Sequence, residues 1–361
     1  MRLSSMSHRH DPSLPSQRVS RAEPWLRILV IALITGWSGA AWLAYRLLLA
    51  RGRLLLDTPW VSSSTQHGTG ASHESEERTR RELAFAEFGL RLGPEHAYFL
   101  QSLTEARLLK EAGAQFRRDK NDRLLCEIGG ITVFVRSVEE MWILHEIFVQ
   151  GFYDVRVNGP VVVWDIGMNV GVASLYFAAR GNTTVVGYEP IGSTYEMALE
   201  NIELNPALRS AITTVNSGVG GSNRTEMVDF CDALKGSVGL FGAVGDPWLR
   251  HTVLHLAADA AIRLEALRLE DATSVFTSIR AAHPHIPVIA KIDCEGAEYE
   301  IIEALHRSGD LSSLHAIILE WHRDGPEPLQ QHLNDAGFTV FSLDARRGQW
   351  GHLYAVRERA G

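Results

Sequence analysis

The stretch Val161–Ala178, "VVVWDIGMNVGVASLYFA", decides the fold. An apolar run ends in Asp165, a turn carrying Gly167, Asn169 and Gly171 follows, and an apolar helix begins. That pattern is a strand feeding a helix through a turn whose backbone can approach a ligand closely. The alternation then repeats. Strands are predicted over Val161–Asp165, Thr184–Glu189, Ile212–Asn216, Val288–Asp293 and His315–Glu320, and helices over Val170–Arg180, Thr194–Leu204 and Glu298–Arg307. Strand-helix alternation of this length implies an α/β fold with a doubly wound parallel sheet. Near the C-terminus, "FTVFSLD" and "HLYAVRE" flank "ARRGQWG", a hairpin signal that adds an antiparallel edge.

Upstream, "ELAFAEFGLRL" and "AYFLQSLTEARLLKEA" have helical apolar spacing, "ITVFVR" reads as a strand and "EEMWILHEIFVQ" as a helix. Together residues 82–160 are expected to cap the sheet domain at 161–361. Residues 1–24 are polar and Ser/Arg-rich and read as a disordered tail, and residues 51–81 as a linker. Between them, 25–50 reads as a transmembrane anchor. Ile28–Tyr45 carries no charge, Arg27 and Arg46 bracket it, and as a helix it would rise about 27 Å, close to a hydrocarbon core. A signal peptide and a buried helix are the rival readings. The run is long for a signal segment, and no clean small-x-small site precedes Arg46. Arginines flank both ends, so the charge rule selects no side of the membrane.

The 361 residues carry a net charge of -8, with no basic stripe, so no nucleic-acid partner is expected. The three cysteines, Cys126, Cys231 and Cys294, are widely spaced and suggest neither a disulfide framework nor a zinc site.

Asp165 ends its strand at the crevice where such sheets bind ligands. A G-x-G-x-x-G fingerprint started at Gly167 would put Asn169 and Val172 at its second and third glycines, so it fails. An acid at the loop mouth opposes a pyrophosphate and suits a cationic ligand such as a sulfonium or ammonium group. Glu189, at the tip of the second strand, can accept both hydrogen bonds of a ribose diol. Asp165, Gly167, Asn169, Gly171 and Glu189 together favour S-adenosylmethionine. An NAD-dependent oxidoreductase is the rival, and a membrane-tethered module that keeps the fold without catalysis is a second.

"VVWDIGMNVGVASLYFA", "VVGYEPIGSTYEMALENIELN" and "KIDCEGAEYEII" resemble the successive motifs of the FkbM-type S-adenosylmethionine-dependent methyltransferases. "EEMWILHEIFVQGFYDV" is similar to the segment before the first motif, and "IILEWH" to the late strand. The resemblance runs from about Leu125 to the C-terminus and implies the class I methyltransferase fold. It also implies O-methylation, commonly of sugar, glycan or natural-product hydroxyls. The block at Lys291, Asp293, Glu295, Gly296 and Glu298 is its most specific part. Met168 departs from it, standing where alanine is usual.

An alcohol acceptor needs a base near the methyl group. Glu320 and His322 share one face of a strand end. His322 is expected to be that base, oriented by Asp293 or Glu320, with Glu295 next in line. Glu298 is expected to cap its helix. A divalent ion held by Asp293, Glu295 and Glu320 is an alternative that the spacing does not demand, and no metal is expected. The glycine-rich stretch from Cys231 to Ala258 is expected to form part of the acceptor pocket or a lid.

Overall fold

Alternation along β6 (Val161–Ile166) shows how the sheet domain is layered. Val161 and Val163 enter one apolar core, and Val162, Trp164 and Ile166 enter another on the opposite face. All six residues of the strand are buried, as a central parallel strand requires. The computed structural model describes residues 83–155, 158–230, 235, 263–322, 324–343 and 350–357. The chain divides into units Met1–Arg81 and Glu82–Gly361, and every described residue belongs to the second. The expected tail, span and linker therefore lie outside the described residues, as does nearly all of the Cys231–Ala258 stretch. Among the described residues no helix is long and apolar enough to cross a membrane.

The first elements are β1 (Leu83–Phe85), β2 (Leu90–Leu92), α1 (Ala97–Gln101), α2 (Leu103–Glu111), β3 (Gln115–Arg118), β4 (Leu124–Ile128), β5 (Ile131–Phe134) and α3 (Val138–His145). The helix expected over "ELAFAEFGLRL" is instead an antiparallel β1–β2 pair. Gly89, at φ +67°, allows the reversal. Leu90 and Leu92 are buried while Arg91 is exposed, a period of two rather than 3.6. Phe88 packs edge-on to Phe99 and Phe116, so tertiary contacts decide the local structure. Strands β3–β4–β5 form a second small sheet, of which only β5 was expected.

The remaining elements are β6, α4 (Val172–Ala178), β7 (Thr183–Tyr188), α5 (Gly192–Glu203), β8 (Ile212–Val215), β9 (Gly218–Gly220), β10 (Arg224–Phe230), β11 (Arg263–Asp271), α6 (Ala272–Ala282), β12 (Val288–Ile292), α7 (Glu298–Ser308), β13 (Ala316–His322), α8 (Glu327–Asp335), β14 (Thr339–Leu343) and β15 (Trp350–Val356). Among the described residues, seven strands pair in the order β14-β15-β13-β12-β6-β7-β8. Residues of α3 and α4 share the core on one face, and residues of α6, α7 and α8 the core on the other. From β6 the chain winds outward through β7 and β8, then returns to β12 on the other side of β6. The strand order thus reverses between β6 and β12.

The C-terminal hairpin forms, with a refinement. Its second strand, β15, lies antiparallel between β13 and β14. The outermost strand, β14, therefore runs with the parallel body of the sheet, and the antiparallel strand is one in from the edge. Strands β9–β11 make a separate three-stranded sheet that the sequence reading missed.

Candidate active site

The predicted residues converge at the carboxyl ends of β6, β7, β12 and β13, in two groups. At the first, Gly167 has φ +78°, and a Cβ there would lie 1.7 Å from the Asp293 carbonyl oxygen. The loops after β6 and β12 can touch only because residue 167 has no side chain. Asn169 and Gly171 are also left-handed, at φ +50° and +81°. The N–H groups of Gly167 and Met168 donate to the Tyr188 carbonyl at 3.1 and 2.9 Å. Asn169 N–H donates to Glu189 Oε2 and Ile191 N–H to Glu189 Oε1, both at 2.9 Å. Each oxygen of the buried Glu189 carboxylate thus holds one backbone donor and keeps capacity for another.

Asp165 is placed differently from its expected role. It is fully buried, accepting from Ser174 Oγ at 2.6 Å, with Lys291 Nζ 3.3 Å from its Oδ1. The register sets Lys291 directly beside Asp165 on the neighbouring strand. Its charge therefore meets a lysine within the sheet instead of a cationic ligand, and Asp165 positions α4 and Lys291. Met168 is likewise buried, its sulfur close to Gly187, where a Cβ would come within 2.5 Å.

The second group gathers side chains from β12, β13 and the intervening loop. Lys291 Nζ also lies 3.5 Å from Asp293 Oδ2, and it donates to the Gly167 carbonyl at 2.6 Å. Tyr153 Oη donates to Asp293 Oδ2 at 3.4 Å. Glu298, expected to cap α7, does more. It is fully buried, with Oε2 accepting from Gly296 N–H at 2.6 Å and Oε1 accepting from His322 N–H at 2.8 Å. His322 Nδ1 stands 3.1 Å from the same Oε1. That arrangement puts the ring proton on Nδ1 and turns Nε2 towards Glu295 Oε2 at 3.7 Å and Glu320 Oε1 at 3.8 Å. Asp293, Glu295 and Glu320 keep 29%, 28% and 20% of their side chains exposed, so the group opens onto solvent.

The profile of the methyltransferase FkbM domain matches residues 165–340. These residues form an FkbM-type methyltransferase domain. The match begins at Asp165, so the strands and helices of 83–155 lie outside it. No curated protein sequence matches the chain. Similar solved structures include a methyltransferase FkbM from Methylobacillus flagellatus KT, 14% identical with a TM-score of 0.36, covering 56% of this chain and 45% of that one. The N-terminal domain of human METTL16 in complex with SAH is 13% identical at a TM-score of 0.34, covering 79% of this chain and 92% of that one. The chain therefore spans just under half the length of the FkbM structure.

Within the FkbM domain, charge separates the two groups. Burial pushes the Glu189 carboxyl up to about 7, against the two backbone hydrogen bonds that favour its ionised form. In the second group burial alone would lower His322. Glu295, Glu298 and Glu320 more than reverse that and hold its imidazole well above the usual value. Burial lifts Glu295 to about 7, with His322 pulling the other way, and burial and Asp293 lift Glu320 well above the carboxylate range. Asp293 stays low despite burial, because Lys291 and then His322 favour its charge. His322 therefore stands among three acids that favour its protonated form, unlike the base expected from the sequence.

Sequence reading missed Tyr153, Glu146 and His352. Glu146 is lifted to about 8, mainly by burial and then by Asp293, and His352 Nε2 lies 3.8 Å from Glu320 Oε2. Glu146 and Tyr153 lie in the segment similar to the one before the first motif, but nothing in it singles them out, and His352 lies in a terminal strand with no motif.

Proposed function

We propose that the FkbM domain transfers the methyl group of S-adenosylmethionine to a hydroxyl of a sugar, glycan or small natural product. The observation that carries this is the meeting of Asp293, Glu295, Glu320 and His322 beside the glycine turn of β6. The first group fits the cofactor. Glu189 keeps an acceptor site on each oxygen for the ribose diol, and the turn at Gly167, Asn169 and Gly171 offers backbone without side chains in the way. When bound, the cofactor supplies an activated methyl group. The protein must then align the acceptor hydroxyl and remove its proton.

His322 was the expected base, but its contacts favour Glu295 for the proton. The imidazole is committed through Nδ1 to Glu298, whereas the Glu295 carboxylate is partly exposed and stands 3.7 Å from Nε2. His322 then positions that carboxylate. Outside the described residues, Ile28–Tyr45 is proposed to anchor the chain by a single span. Release of the full-length protein by alkaline carbonate would overturn that anchor.

The test is methyl transfer from labelled cofactor to a panel of sugars and alcohols, alongside titration with S-adenosylhomocysteine and NAD. Transfer to a hydroxyl is expected, with Glu295→Gln depressing turnover by about 10²–10⁴ at nearly unchanged cofactor affinity. Binding of NAD alone would establish the oxidoreductase reading. Binding of S-adenosylhomocysteine without transfer to any acceptor would favour the non-catalytic module.

A further inference from the structure

Asp293, Glu320 and His322 each present one ligand-type atom, and the three atoms lie within 4.8 Å of one another. Asp293 directly follows β12, and Glu320 and His322 stand two residues apart on the neighbouring β13. Parallel pairing of these strands brings them together. The two contacts of the Asp293 carboxylate, to Lys291 and Tyr153, both use Oδ2, leaving Oδ1 for another partner. The Nδ1 hydrogen bond of His322 to a buried carboxylate is the arrangement that orients a ligating imidazole and directs the other nitrogen outward. Neither carboxylate facing Nε2 comes within hydrogen-bond distance of it.

A second observation is independent of this triad. His352, on β15, has a side chain only 6% exposed, and its Nε2 aims at the other Glu320 oxygen from 3.8 Å. That distance is too long for a hydrogen bond. The His352 ring also packs on Phe152, with centroids 4.0 Å apart. Glu320 therefore lies between two imidazole nitrogens, both held back by the same distance and neither bonded to it. Ligand atoms about 2.1 Å from one ion stand about 3–4 Å apart; Glu320 Oε1 and His322 Nε2, at 3.8 Å, have that spacing.

We propose that Asp293 Oδ1, Glu320 and His322 Nε2 form a divalent-cation site at the acceptor end of the crevice, with His352 bracing Glu320 from outside the ligand set. Carboxylate oxygens with one imidazole suit a borderline ion, and Mn²⁺ accepts both donor types. An ion there would lower the pKa of a hydroxyl bound to it, leaving Glu295 to take the proton. That consequence rests on the methyl-transfer reading; the binding of the ion does not.

The experiment uses the full-length protein, stripped with chelator and titrated with Mn²⁺ alone. Saturable binding of one ion is expected by calorimetry, with ¹⁴N coupling from an imidazole in pulsed electron paramagnetic resonance. Glu320→Gln and His322→Ala should weaken binding at least about tenfold, and His322→Ala should remove the nitrogen coupling. No saturable binding, binding without nitrogen coupling, or unchanged affinity in both variants would each overturn the site. The wild-type spectrum decides even if a variant fails to fold. Retained S-adenosylhomocysteine binding shows that each variant is native. Cofactor binding without Mn²⁺ binding removes the ion and spares the methyltransferase reading, and the opposite pattern does the reverse.

Discussion

At the cofactor end of the crevice the geometry is made by backbone, and at the acceptor end by ionisable side chains. Gly167 meets the Asp293 carbonyl main chain to main chain, and the backbone amides of Asn169 and Ile191 hold Glu189. Beside that turn Lys291 pairs with Asp165 inside the sheet and with Asp293 where the two ends meet. At the other end Asp293, Glu295, Glu298, Glu320, His322 and His352 gather, and the charges of Asp293, Glu295, Glu320 and His322 depend on their neighbours. A backbone cradle is set once the chain folds. A cluster of titratable groups stays responsive to protons and to bound charge.

The largest expected effect tests where the two ends join. Lys291 is the shared counter-ion of Asp165 and Asp293, and both Lys291 and Asp165 are almost wholly buried. Lys291→Met leaves a buried carboxylate uncompensated, and should destabilise the fold by about 3–5 kcal/mol in denaturant unfolding. An unchanged midpoint would show that Asp165 finds another partner. Lys291 is also held charged, because Asp165 and Asp293 outweigh the burial that opposes it.

Next comes the cradle. Gly167→Ala places a carbon where the Asp293 carbonyl stands and requires a left-handed alanine. A loss of about 3 kcal/mol is expected, together with loss of cofactor binding. If the variant keeps wild-type stability and affinity, the contact between the two loops is not what holds the turn.

The smallest effect is a pH dependence at Glu189. Its carboxyl is raised from 4.5 to about 7 in the folded chain. Between those values the folded state holds more protons than the unfolded one. This residue's contribution to stability is therefore full below about pH 4.5 and is lost as pH rises through 7. Cofactor affinity should move in the opposite sense, because hydroxyl donors favour the ionised carboxylate. Calorimetric titration with S-adenosylhomocysteine should show tightening by up to about tenfold between pH 6 and 8. Glu189→Gln should bind more weakly at pH 8 and lose the dependence; a retained slope would assign it to the acceptor end.

The same contrast explains what could be read early. The cofactor end was legible because its requirements are local: glycines at fixed offsets, an acid at a strand tip and strand-helix periodicity. The acceptor end was half legible. Asp293, Glu295, Glu320 and His322 carry motif spacing, yet their roles follow from Glu298, which sits at the start of a helix and looks like an ordinary cap. His352 and Tyr153 give no local signal, because β15 reaches β13 only by inserting between it and β14. The first strand pair was misread because Phe85, Phe88 and Leu92 also satisfy a helical i, i+3, i+7 count until Phe88, Phe99 and Phe116 cluster.

The amino-acid sequence by itself determined the α/β winding, the crevice residues at each strand end and the family to which residues 165–340 belong. Short-range periodicity and turn chemistry suffice for that. Only the tertiary structure decided that Asp165 spends its charge on Lys291, that Glu298 orients His322, and that two imidazoles flank Glu320. Those outcomes depend on strand register and on electrostatics between residues up to 126 positions apart, and no local pattern of side chains encodes either.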